Sequence, residues 1–355
     1  MTPNPAEFQL CVQCCKWAFA GGAAESIHEL CGSVDWNRFT DIARFHRVQG
    51  LVWNSLWASE ADVPAAAVEA LSSEAKAIAA ANLQIAAEAR DLRAEFEQAG
   101  VALLFVKGLT VGALAYPKPF LKMGWDIDLL IDHAQLGEAV ELLRARGYER
   151  TIPAPATDLN AWHARRKESV WARDGELYVE LHSRLADNRQ LIPAIAVHSP
   201  RQDVELAPGI VLPTLARDEL FAYLCVHGAS SAWFRLKWIT DLAALLHQAS
   251  DIDHLYERSQ ELGAHRAVGQ ALLLADRLYG TLGQSLLKDR LLQDRATQWL
   301  ADAAYRQLVS GNLGSRDPTT ALFGTWRIHL TQLLLKPGPG FKINELYRQT
   351  ADAIA

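Results

Sequence analysis

The stretch from Val101 to Asp132, VALLFVKGLTVGALAYPKPFLKMGWDIDLLID, constrains this chain more than any other. It predicts a buried strand over Val101–Val106, a turn at Lys107-Gly108, a short helix through Tyr116, a proline-broken loop, and a second strand carrying Asp126-Ile127-Asp128. Side chains alternate along a strand, so Asp126 and Asp128 share one face while Ile127, Leu129 and Ile131 take the other. If the apolar side joins a core, two carboxylates are left directed at one small volume. Like charges that close raise each other's pKa and call for a compensating cation or for water. Mg²⁺ accepts carboxylates, waters and substrate phosphates together and suits this arrangement. A solvated strand face is the other reading of the tripeptide alone.

The segments on either side have a different pattern. Residues 6 to 99 carry helical periodicity, with an amphipathic segment over Trp36–Leu56 and a long helix over Ser72–Gln98 that Gly100 stops. His46, Arg47 and Gln49 either reach a ligand from this module or form a solvated helix face. After the acidic strand, His133–Gly147 reads as helix and Tyr148 starts a loop through Pro155. Ser169–Arg173 and Glu176–Leu185 read as two strands joined at Asp174-Gly175, a strong hairpin signal. On the second of them Glu180 and His182 alternate with Val179 and Leu181, so Glu180 also lies on a polar face. Arg165-Arg166-Lys167 precede the hairpin as a solvated charge run or an attractor of phosphate. Pro208–Pro213 closes the region, and helix returns over Ala216–Gln248 and again from Asp251, with turns at Gly311–Pro318 and Lys336–Gly340.

The expected architecture is therefore α+β. A small mixed sheet over residues 76–215 sits between an N-terminal helical module, 1–75, and a C-terminal helical domain, 216–355. A net charge of −6 argues against broad electrostatic binding of nucleic acid. No apolar run approaches the roughly 20 residues needed to cross a bilayer, and MTPNPAEFQL lacks the pattern of a signal peptide, so a cytoplasmic location is expected. Cys11, Cys14 and Cys15 share one predicted helix face and read as small apolar packing in a reducing compartment rather than as a zinc or redox site.

Three ordered motifs carry a family resemblance. Lys107-Gly108, Tyr116-Pro117, Lys122 and the DIDLL run from Asp126 form the first, VELHSRL over residues 179–185 the second, and His227-Gly228 through Trp233, Lys237 and Asp241 the third. Together they resemble the bacterial family usually labelled uncharacterised nucleotidyltransferase, of the superfamily with a DNA polymerase beta-like fold. Lys122 stands where that family usually has Arg, Ser183 where an aromatic is usual, and Lys107-Gly108 where better-known superfamily members have Gly-Ser or Gly-Gly. The resemblance implies that Asp126, Asp128 and Glu180 hold two Mg²⁺ ions, with Mn²⁺ as a substitute, and that Glu180 also serves as general base. It implies phosphate contacts from Lys107, Gly108, Lys122 and Lys237, and a base or sugar stacked on Trp233. Asp241 stands beside Lys237 on the same predicted helical face, four residues on, and His182 either hydrogen-bonds a ligating carboxylate or simply caps the strand face.

The implied reaction is metal-dependent transfer of a nucleoside monophosphate from an NTP such as ATP to a hydroxyl or phosphate acceptor, with pyrophosphate leaving. A small molecule or peptide is the expected acceptor; the acidic balance disfavours RNA, and no membrane partner is implied. A nucleotide-binding protein without turnover, a helical scaffold and a phosphotransferase using the same metals are the alternatives.

Overall fold

A computed structural model of the chain describes residues 5–22, 24–175, 177–310 and 326–354. Five helices come first: α1 (Ala6–Ala20), α2 (Glu25–Cys31), α3 (Trp36–His46), α4 (Gln49–Ala58) and α5 (Ala65–Gln98). The Asp35 carboxylate accepts from the Arg38 backbone N–H and starts α3. The segment expected as one amphipathic run over Trp36–Leu56 is two helices, because Arg47 takes a left-handed conformation with φ 56 and reverses the chain between them. Helix α5 is 34 residues of strong helix formers with no internal Gly or Pro. It runs unbroken across residue 75, so the expected first domain boundary falls inside a continuous helix.

The sheet region follows as β1 (Leu103–Phe105), α6 (Leu109–Ala115), β2 (Asp126–Ile131), α7 (Leu136–Ala145), β3 (Glu149–Ile152), α8 (Leu159–Arg165), β4 (Glu168–Arg173) and β5 (Leu177–His182). Its five strands lie in the order β1-β2-β5-β4-β3. Only β2 and β5 run parallel, and the intervening segment provides the crossover that parallel pairing requires. Edge strand β3 occupies part of the expected loop after Tyr148. A separate hairpin, β6 (Arg201–Ala207) and β7 (Ile210–Leu215), turns at Pro208-Gly209, in the segment expected only to close the region. Its alternation is visible in the sequence, with Val204 and Leu206 buried between exposed Asp203 and Glu205.

Helices complete the described chain: α9 (Arg217–Ser230), α10 (Leu236–His247), α11 (Ile252–Glu261), α12 (His265–Tyr279), α13 (Leu286–Gln293), α14 (Arg295–Ser310), α15 (Trp326–Gln332) and α16 (Pro339–Ile354). The single helix expected over Ala216–Gln248 is broken, since Ala232 and Trp233 both adopt positive φ, 48 and 54. The turn expected at Gly311–Pro318 and Glu176, the first residue of an expected strand, lie outside the described residues.

Two cores hold the sheet. On one side Ile127, Leu129, Val179 and Leu181 pack with Ala89 and Phe96 of α5 and Leu143 of α7. The larger core joins Phe8 of α1, Phe39 of α3, Tyr223 of α9, Leu242 of α10, Leu272 of α12 and Phe341 of α16, so the first and last helices bury their apolar faces together rather than as separate modules. All five cysteines are free and buried. Burial pushes the Cys15 thiol up to about 12 and raises Cys11 and Cys14 as well, as expected of packing residues. Among the described residues no helix is long and apolar enough to cross a membrane.

Candidate active site

Strand parity assembles the acidic wall of the site. In the parallel β2–β5 ladder Asp126 lies opposite Tyr178 and Asp128 opposite Glu180, while β4 places Glu168 opposite His182. Residues directly opposite share a face, so Asp126, Asp128, Glu168, Glu180 and His182 form one polar patch across three strands. The Lys107 ammonium lies against it, 2.6 Å from Asp128 Oδ1 and 3.3 Å from Glu180 Oε2. His182 is fully buried, with Nε2 3.1 Å from Asp128 Oδ1 and Nδ1 3.1 Å from Glu168 Oε2. Lys167 pairs with Glu168.

The charges of this patch are strongly interdependent. Burial, with Asp128 and Glu180 alongside, pushes the Asp126 carboxyl up to about 6 despite Lys107 and Lys237. Burial also works against the Glu180 charge, but Lys107 and His182 outweigh it and hold that carboxyl well below the usual range. For Lys107 the desolvation cost is overcome mainly by Asp128, which keeps the ammonium charged. Burial opposes the His182 charge, and the neighbouring carboxylates, Glu168 foremost, reverse the balance and raise its pKa.

A cleft of about 370 Å³ opens over this patch. The cleft is also lined by cations: Arg47 from the α3–α4 junction, Lys122 from the loop before β2 and Lys237 from the first turn of α10. Lys122 is buried and its Nζ lies 3.4 Å from Asp241 Oδ2; Asp241 Oδ1 in turn accepts from the Tyr116 hydroxyl at 2.8 Å. The Asn82 side chain on α5 donates to the carbonyls of Phe120 and Lys122, both at 2.7 Å, and so fixes the loop that presents Lys122. Among the described residues Lys237 has no hydrogen-bond or ion-pair partner. Burial, reinforced by Lys122 and Arg47, draws its ammonium down to about 7 against the pull of Asp126 and Asp241.

The nine residues expected at the site divide into groups. Asp126, Asp128, Glu180, Lys107, Gly108, Lys122, Lys237 and Asp241 all line the cleft. Gly108 turns the chain into α6 with φ 63, a conformation that side chains with a Cβ rarely adopt, and lies against the Asp126 carbonyl. Lys107, expected at a phosphate, is instead bonded to the carboxylates. Asp241 has its two oxygens engaged by Tyr116 and Lys122, so it orients Lys122 rather than facing an open ligand. Trp233 does not reach the cleft: it is 0 % exposed, outside α10, with its ring packed on Gly228 in the core. The continuous helix that would have aligned it with Lys237 ends three residues earlier, at Ser230. Trp238 lines the cleft in its place, edge-on to His227 at 5.6 Å.

Other lining residues were not singled out from sequence, or only weakly. Glu168 was missed because the strand was expected to begin at Ser169. Gln332 of α15 reaches the cleft through long-range packing that no local motif signals. Of the three residues weighed on the early helices, only Arg47 lines the cleft; His46 and Gln49 are buried.

The donor set accommodates a metal. Asp128, Glu180 and His182 each offer a ligand atom, all within 4.8 Å of one another, and Lys107 already stands as a cation among them. The carboxylates of the sheet face suit a hard divalent cation, which prefers oxygen. Carboxylates able to hold such a cation and, in the same cleft, ammonium and guanidinium groups able to hold an anion are the equipment that a transferase of phosphorylated substrates needs. Consistent with that architecture, the family described as uncharacterised nucleotidyltransferase matches residues 32–280, and the chain belongs to that family. No curated protein matches the chain.

Proposed function

We propose that the protein transfers a nucleoside monophosphate from an NTP to a hydroxyl or phosphate group of a small molecule or peptide, releasing pyrophosphate. One observation supports this reading: a single cleft is lined by the carboxylates Asp126, Asp128 and Glu180 and by the cations Arg47, Lys122 and Lys237. When bound, Mg²⁺ held by Asp126, Asp128 and Glu180 would neutralise the triphosphate and make the acceptor oxygen a better nucleophile. The remaining work falls to the chain's own groups. Lys237 is the mobile, weakly basic ammonium that a triphosphate would hold in its charged form, and its charge then offsets the negative charge that builds on the departing pyrophosphate. Tyr116 and Asp241 hold Lys122 in place beside it. Glu180, whose carboxyl stays ionised, is the group able to accept the acceptor's proton.

A second reading, nucleotide binding without transfer, has one observation in its favour: Lys107 already neutralises Asp128 and Glu180. Calorimetric titration of each NTP with Mg²⁺, into the wild type and an Asp126→Asn/Asp128→Asn variant, tests the shared part. Metal-dependent binding lost in the variant is expected. A wild type that binds no NTP would overturn both readings. Binding without pyrophosphate release across acceptors would leave only the second.

A further inference from the structure

A second cavity of about 330 Å³ adjoins the cleft and shares Leu185 and Ala186 with it. Its floor is apolar, formed by Leu191, Ile192 and Ile195, while Arg184 and Arg189 bring two guanidinium groups to its wall. Among the described residues neither Arg meets a carboxylate at ion-pair distance; Asp187 acts on Arg184 only from further off, and weakly enough that burial and Arg189 still draw its pKa down to about 10. Arg184 donates through Nη1 to the His163 carbonyl at 2.5 Å and through Nε to the Ala186 carbonyl at 3.2 Å, both neutral acceptors. Its Nη2 is buried with no hydrogen-bond partner. Exposed Arg189 has one contact, from Nη2 to the Ala164 carbonyl at 2.6 Å.

The imidazole in the same wall does not balance these charges. His163 has Nδ1 2.8 Å from Ser183 Oγ and Nε2 3.1 Å from Ser169 Oγ, and burial, with His133 and Arg184 nearby, draws it down to about 4, so it is neutral. The backbone is strained at the same place: Ile192, a β-branched residue, has φ 43. Such a conformation is costly for a residue with a branched Cβ and persists where the surrounding structure imposes it. Two guanidinium groups that line one cavity and bond only to carbonyls there carry positive charge that their neighbours offset little, which favours an anion. The apolar floor leaves a place for a hydrocarbon body beside it.

We propose that this cavity binds a carboxylate or phosphate carried on an apolar body, and that it anchors the acceptor whose reactive oxygen enters the neighbouring cleft. The second half of that statement rests on the transfer reading; the first does not.

Calorimetric titration of hexanoate, hexyl phosphate and hexanol into the wild type and into Arg184→Gln, Arg189→Gln and Lys237→Gln variants tests it. One of the two anions should bind at least tenfold more tightly than hexanol, and whichever does identifies the head group. Each Arg variant should weaken that binding at least fivefold, and the Lys237 variant should leave it unchanged. Arg189 makes a single carbonyl contact, so its variant decides the matter even if Arg184→Gln fails to fold. Anion binding no tighter than that of hexanol, insensitive to Arg189, or lost on changing Lys237 would overturn the proposal. Mg²⁺-NTP titration into the Arg189 variant should match wild type. Failure of NTP to bind the wild type would count against the transfer reading alone, because the anion titrations would still report on the cavity.

Discussion

Lys107→Met isolates what the buried ammonium does, since it removes the charge and keeps an unbranched stem. The charge lies 2.6 Å from Asp128 and 3.3 Å from Glu180, and both carboxylates have side chains less than a quarter exposed. At an effective dielectric near 20 these attractions are about 6 and about 5 kcal/mol, opposed by the cost of desolvating three charged groups. Removing one member of such a buried network costs about 3–5 kcal/mol. The sign of the pH dependence follows from the carboxylates left behind. Losing Lys107 raises the folded pKa of Glu180, whose charge it does most to hold, so the destabilisation is full at pH 8 and shrinks as the pH falls and that carboxyl protonates. Urea unfolding at pH 8 and pH 5.5 measures both. Added Mg²⁺ should stabilise the variant by about 2.7 kcal/mol at a hundred times the variant's Kd, and the wild type by less at the same concentration. Equal stability of variant and wild type at both pH values, with equal response to Mg²⁺, would refute the assignment of Lys107 as the cation that neutralises this patch.

Further outcomes follow from the cations of the cleft and from the N-terminal helices. Lys237 sits near 7 in the free protein and a triphosphate would raise it, so NTP binding at pH 8 should take up a proton and weaken up to about tenfold per pH unit above that. Calorimetry in buffers of different ionisation heat reads the uptake, and an undiminished signal in Lys237→Gln would reassign it. A Cβ on Gly50 would overlap the Leu121 carbonyl, next to Lys122. Gly50→Ala should therefore cost at least about 1–3 kcal/mol and weaken NTP binding through the displaced loop; a melting curve like that of wild type would contradict the close approach.

The parts of the site that lie along single strands were legible in the sequence. The alternation of Asp126 with Ile127 and of Glu180 with Val179 fixes which face each side chain takes, and the Asp174-Gly175 turn fixes the β4–β5 pairing. What stayed hidden depends on geometry that local periodicity does not encode. Trp233 was aligned with Lys237 by assuming one helix, and two left-handed residues, Ala232 and Trp233, break that assumption without a Gly or Pro to mark it. The pairing of Lys107 with Asp128 and Glu180 joins segments 21 and 73 residues apart in the chain. The β6–β7 hairpin was legible in principle, from Val204 and Leu206 between charged neighbours, but the prolines at 208 and 213 mark only the close of the region. Its second proline is tolerated because β6 and β7 form a sheet of only two strands, in which every strand has a free edge.

The long helix α5 and the core shared by α1 and α16 bear on how such a chain can diversify. The first half of α5 packs on α3 and α4 and its second half runs under the sheet, so no cut ahead of the sheet leaves both sides with intact apolar faces. Recombination that swapped one end for another would strand Phe8 or Phe341 without its neighbours. New specificity is therefore accessible mainly by point substitution at lining positions such as Lys122 and Ser183, where the scaffold stays whole while the chemistry offered to a substrate changes.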